Sequence, residues 1–98
     1  MKKRSLIFIL CLFLGFTTFA QKRVTGVVYD TQNIPVPGVT IMEKGTTNGV
    51  ISDVNGNFSM EVAGEASVLV FSFVGMETQE IAVGSQTSLS VTMQEMVS

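Results

Sequence analysis

The chain has no histidine, no tryptophan and one cysteine in 98 residues. Those absences exclude a Cys/His zinc cluster, a histidine-based nucleophile set and an internal disulfide. Charge is also sparse. Six Lys and Arg stand against eight Asp and Glu, a formal net charge of -2, which supplies none of the basic footprint that a nucleic-acid partner requires. The length admits at most one small domain.

What is present begins with a three-part leader. Lys2, Lys3 and Arg4 precede an apolar run from Leu6 to Phe16, and Thr18-Phe19-Ala20 places small residues two apart. This is the pattern of a secretory signal peptide cleaved between Ala20 and Gln21. A membrane anchor needs ~20 apolar residues to cross the hydrocarbon core, and this run is too short. Cys11 is a poor lipidation site, because Leu10 stands where a small residue is needed. The sequence therefore predicts an exported protein: residues 1–20 the signal, 21–94 a folded domain and 95–98 a linker stub. Cleavage removes three basic residues and the cysteine, leaving Lys22, Arg23 and Lys44 against eight acids, or 3 − 8 = −5. No cysteine-mediated partner is then available. The exported part must fold on its apolar core alone, with Tyr29, Phe58, Phe71 and Phe73 expected at its centre.

After Arg23, short alternating runs rich in Val, Ile, Thr and Phe are broken by Gly, Asn and Pro, which predicts an all-β domain. Seven strands are expected at 24–29, 39–43, 49–52, 58–62, 67–73, 78–83 and 88–93. Asn48-Gly49 and Asn55-Gly56 carry the signature of hairpin turns with positive φ. Pro35 and Pro37 cannot donate to a ladder, so 34–38 is an extended connection or an edge. Period-two alternation turns Phe58, Met60 and Val62 inward, together with Leu69, Phe71 and Phe73, and with Leu89, Val91 and Met93. Seven one-faced strands suit two packed sheets. The stretch from Val68 to Val74 is apolar on both sides, as expected of a central strand whose second face is partly covered; the competing reading is a docking patch.

Candidate chemistry is thin. Asp53-Val54-Asn55-Gly56-Asn57 places side-chain oxygens at alternate positions, like the start of a calcium loop. Such a loop needs Gly at its sixth position and Glu at its twelfth, where this chain has Phe58 and Gly64; a turn with an Asx-type hydrogen bond is the expectation. Glu77 and Glu80 are three apart, so a strand would point them to opposite sides, as solvated edge charges and not as an acid/base pair. The segment from Gly45 to Gly49 lacks the lysine and helix of a phosphate cradle. Met42, Met60, Met76, Met93 and Met96 read as core filler. No catalytic, cofactor-binding or metal residues are assigned, and no cofactor is expected.

Taken in order, Gly26-Val27-Val28-Tyr29-Asp30, Pro35-Val36-Pro37-Gly38-Val39, Lys44-Gly45-Thr46-Thr47, Ser52-Asp53 with Asn55-Gly56-Asn57-Phe58-Ser59, and Phe71-Ser72-Phe73-Val74-Gly75-Met76-Glu77 resemble the carboxypeptidase-regulatory-like domain. They are most similar to its version at the N-terminus of SusC-type TonB-dependent outer-membrane receptors of Bacteroidetes. The resemblance covers about residues 23 to 94. It departs at Asn33, where Gly is usual and where Asn tolerates the left-handed conformation, and at Met76, where an aromatic is common. It implies a transthyretin-like seven-stranded sandwich with no enzymatic activity, acting as the N-terminal extension of a nutrient-uptake receptor. The implied location is the periplasm, at the outer membrane, and the implied partners are a plug and barrel, the TonB system and a SusD-like lipoprotein. A barrel needs many strands of ~10 residues, so a chain ending at Ser98 is expected to be a fragment, a truncated frame or a free-standing relative. The alternative function is a free exported sandwich that binds carbohydrate or another cell-surface component; such sandwiches usually present exposed aromatics for stacking on sugars, whereas the aromatics here alternate inward, with the side of Tyr29 left open. A third is an accessory domain detached from a peptidase.

Overall fold

The computed structural model describes residues 21–96. The expected signal segment, Cys11 included, lies outside the described residues, as do the last two residues of the expected linker. Seven strands follow one another: β1 (Lys22–Tyr29), β2 (Thr40–Glu43), β3 (Gly49–Ile51), β4 (Asn57–Val62), β5 (Val68–Ser72), β6 (Gln79–Ala82) and β7 (Ser88–Thr92). Each lies within two residues of its sequence-predicted bounds.

The strands form two sheets, one of three in the order β4-β1-β7 and one of four in the order β3-β2-β5-β6. All pairs are antiparallel except β1 with β7, which is parallel. The molecule is a β-sandwich. Its inner faces are set by alternation: Val24 and Val28 of β1, Ile41 of β2, Phe58, Met60 and Val62 of β4, Leu69 and Phe71 of β5, and Leu89 and Val91 of β7 are all buried, and Met93 follows them inward. Thr25, Ser59, Glu61, Ser88, Ser90 and Thr92 are exposed in the alternate positions. The sheets meet where the edge of one phenylalanine ring packs on the other, Phe58 against Phe71, with centroids 5.5 Å apart and planes at 73°. Val36, Val39 and Val83 extend the core into the connecting segments.

At two positions around β1 there is no room for a side chain. A Cβ added at Gly26 would meet the Leu89 carbonyl oxygen at 2.5 Å and the Phe58 ring at 2.7 Å, so β1 needs a residue without a side chain between its two neighbours. Gly56 has φ 76° and its missing Cβ would sit 2.6 Å from the Val28 carbonyl oxygen. It closes the β3–β4 turn against β1.

The structure corrects several sequence expectations. Asn48-Gly49 is not a tight two-residue turn: Gly49 already belongs to β3, and the positive φ is carried by Gly45, at 81°. The reason is loop length, since five residues separate β2 from β3. In Asn55-Gly56 only the glycine is left-handed, and the strands it joins lie in different sheets, so the turn is an inter-sheet connection and not a hairpin. Asn33 adopts φ 62°, as expected. Pro35 makes a single bridge to Tyr29. Of the four aromatics, Phe58 and Phe71 are core, Phe73 packs against it half-buried, and Tyr29 is half-exposed. Met96 is 60% exposed and fills no core.

Candidate functional site

The element ends define two differently built poles. At one, where β2 leads to β3, β4 to β5 and β6 to β7, an acid lies inside the sandwich. Alternation from Ile41 sends Glu43 to the inner face, where it is only 7% exposed. Its carboxylate accepts hydrogen bonds from the Ala63 backbone N–H at 3.0 Å, the Ser67 hydroxyl at 2.7 Å and the Asn48 side-chain amide at 3.0 Å. Asn48 also donates to the Glu61 carbonyl. The clasp therefore ties β2 to the β4–β5 connection and to β4 of the opposite sheet. These donors, with the Ala63 N–H foremost, hold the Glu43 carboxyl below its ordinary pKa against the opposing effect of burial.

The chemistry of this clasp is restrictive. Ser67 and Glu43 form the nearest approach to a nucleophile and base. A carboxylate stabilised in its charged form is a weak acceptor for a hydroxyl proton, and a general base works best with a pKa near the operating pH. The clasp is a structural joint. It borders a shallow depression of about 510 Å³ lined by Lys44, Gly64, Glu65 and Val68 among others. Sequence reasoning passed over Glu43, although its inward position was already implied by Ile41 two residues before it.

A second buried polar side chain, Ser52, donates to the Val36 carbonyl at 2.8 Å and accepts from the Val39 N–H at 2.9 Å. It fixes the β1–β2 connection to the end of β3.

The other pole gathers the β1–β2, β3–β4 and β5–β6 connections and the stretch after β7. Asp53 Oδ1 accepts from the backbone N–H groups of Asn55 and Asn57, both at 2.9 Å, which is the expected Asx-type turn. Asp30 Oδ1 plays the same part for Gln32 at 2.8 Å and Ile34 at 3.0 Å. The β5–β6 turn is bound to the stretch after β7: Met76 bridges Glu95, the Glu77 N–H donates to the Gln94 carbonyl and the Met96 N–H to the Gly75 carbonyl. Glu77 is thus a turn residue, while Glu80 sits on the edge strand β6 and pairs with Lys44 at 2.9 Å. The structure does not bring the two together as one site.

On β5 the second face is half-buried at Val68 and Val70, beside Met42 of β2 and Glu80 and Ala82 of β6 in the register. The strand is central, flanked on both sides, as expected.

Comparison with known proteins adds a family. The model of the CarboxypepD_reg-like domain matches residues 24–98. TonB-dependent receptor P3 of Formosa agariphila is 41% identical over 93 residues, 93% of this chain and 9% of that protein. TonB-dependent receptor SusC of Bacteroides thetaiotaomicron is 40% identical over 90 residues, 91% of this chain and 9% of that one. The chain thus spans about a tenth of the length of these curated relatives. Among solved structures, a type II cohesin–X–dockerin complex of Acetivibrio cellulolyticus aligns with a TM-score of 0.63 at 24% identity, over 76% of this chain and 58% of that one. The 3-chlorocatechol 1,2-dioxygenase of Rhodococcus opacus aligns at 0.56 and 12% identity, over 81% and 61%. At such identities the likeness is one of fold alone.

Proposed function

Since the chain belongs to the CarboxypepD_reg-like domain family and its full-length relatives are TonB-dependent receptors, we propose that it is the non-catalytic N-terminal extension of a nutrient-uptake receptor. The observation that carries this reading is the 40% identity to SusC over nine-tenths of the chain. The geometry favours it too, because the best-formed polar cluster, around Glu43, is a closed joint with its carboxylate oxygens engaged by protein donors.

In this reading residues 1–20 are a cleaved signal peptide, residues 21–94 form the exported sandwich and the domain faces the periplasm at the outer membrane. The residues after 94 lead toward the rest of the receptor. The TonB system and a SusD-like lipoprotein are partners of the assembled receptor and not of this domain alone. Reading the nucleotide sequence downstream of codon 98 tests the proposal. A plug and barrel, in frame or after one frameshift, support it; a terminator and intergenic sequence refute it and favour a free exported sandwich.

A further inference from the structure

Five large hydrophobic side chains are exposed among the described residues: Ile34 (53%), Ile51 (67%), Val54 (82%), Val74 (93%) and Met96 (60%). Single exposed aliphatics are ordinary. Their distribution here is not. Four occupy the connections at the pole where the chain leaves β7, and the fifth, Ile51, ends β3 at that pole.

Charge is distributed with the same bias. This pole carries Asp30, Asp53, Glu77 and Glu95 and no basic residue, while Lys22, Arg23 and Lys44 all lie toward the opposite pole. Each apolar tip has an acid within four residues of it in the sequence: Ile34 with Asp30, Val54 with Asp53, Val74 with Glu77, Met96 with Glu95. The tips are also fixed in place. Asp30 accepts the Ile34 N–H, Asp53 accepts the N–H groups on the far side of Val54, and the Met96 N–H is bonded to Gly75, next to Val74. These hydrogen bonds hold the loops in shape ahead of any partner, which lowers the entropic cost of association.

We propose that this pole is a docking surface for a basic, apolar segment of a partner polypeptide, its aliphatic side chains meeting the four tips and its lysines or arginines meeting the four carboxylates. The commitment to a basic polypeptide follows from charge complementarity, since an acidic end repels both anionic lipid and an acidic chain. The inference rests on the reading of the domain as a non-catalytic receptor module, and gives that module its contact surface.

The test is a titration of ¹⁵N-labelled residues 21–98, which contain all seven strands and the whole described core, with a short synthetic peptide of alternating lysine and leucine. The expected result is amide shifts concentrated at residues 30–34, 53–56, 74–77 and 94–96, with binding that weakens as salt rises. The double variant V54S/V74S alters only exposed side chains, keeps the fold, and should bind about tenfold more weakly. K44S, at the opposite pole, should bind like the parent. Shifts centred near Lys22 and Lys44, equal binding of a glutamate–leucine peptide, absence of shifts, or binding of neutral phosphatidylcholine vesicles in place of the peptide would each overturn the proposal. A gene lacking plug and barrel would remove the receptor reading and leave the titration result standing, so the two failures are distinct.

Discussion

Phe71 is fully buried at the middle of the four-stranded sheet and makes a T-shaped contact with Phe58 of the other. Truncation to alanine leaves a cavity between the two sheets, and the expected cost is about 3 to 5 kcal/mol, a large share of the ~5 to 15 kcal/mol that holds a whole domain. F71A should be largely unfolded at 37 °C; a melting curve within a few degrees of the parent would contradict the packing described. Gly26→Ala tests the closeness of β1 to β7, because the new methyl meets a backbone carbonyl that cannot swing away; a loss of about 1 to 3 kcal/mol is expected by chemical denaturation. Glu43 offers a sharper test. E43Q keeps the shape but loses the charge and one acceptor face, leaving a donor unpaired at about 1 to 3 kcal/mol. The folded-state pKa of Glu43 is lowered. Its contribution is therefore complete above the ordinary carboxylate range, near 4.3, and is lost as pH falls through that range and the lower folded value. The stability gap between parent and E43Q should shrink in acid; a gap constant from neutral pH to pH 3 would show that the carboxylate's charge contributes nothing.

At the level of elements, β7 decides whether the three-stranded sheet is closed. Its Leu89 and Val91 are buried and its backbone pairs with β1 from Thr25↔Ser88 to Tyr29↔Thr92. Amide exchange at Leu89 to Thr92 should be protected to a degree comparable with Leu69 to Phe71, and fast exchange there would mean that β7 is only loosely attached. The strands themselves were readable in the residues, because one-sided burial writes a period of two into the chain. What joins them was less so. Asn48 reads locally as half of a turn dipeptide, yet its amide spans to Glu61 in the other sheet. Nothing within five residues of Asn48 discloses that partner. Glu43 was readable in principle, by the same alternation that buries Ile41, and was hidden by the general rule that acids lie outside. The concentration of exposed aliphatics at one pole depends on which loops the topology collects, and that is a property of the sheet order.

The whole molecule combines a closed apolar core with a surface crossed by only two ion pairs among the described residues, Arg23–Glu61 and Lys44–Glu80, both well exposed. Exposed pairs contribute little, typically below about 1 kcal/mol, so salt should scarcely move the thermal midpoint. Residues 21–98 are expected to unfold in one cooperative step; separate transitions seen by fluorescence and circular dichroism would show two independent halves. The parallel pairing of the first and last strands has a mechanical consequence. A load applied between Lys22 and Met96 pulls β1 and β7 in opposite directions along their shared ladder, so the five register pairs between them are strained together in shear instead of being unzipped in sequence. Under tension the domain should behave as a clamp that yields abruptly, whereas a load attached across β5 and β6, which are antiparallel neighbours joined by one turn, should peel it open at much lower force.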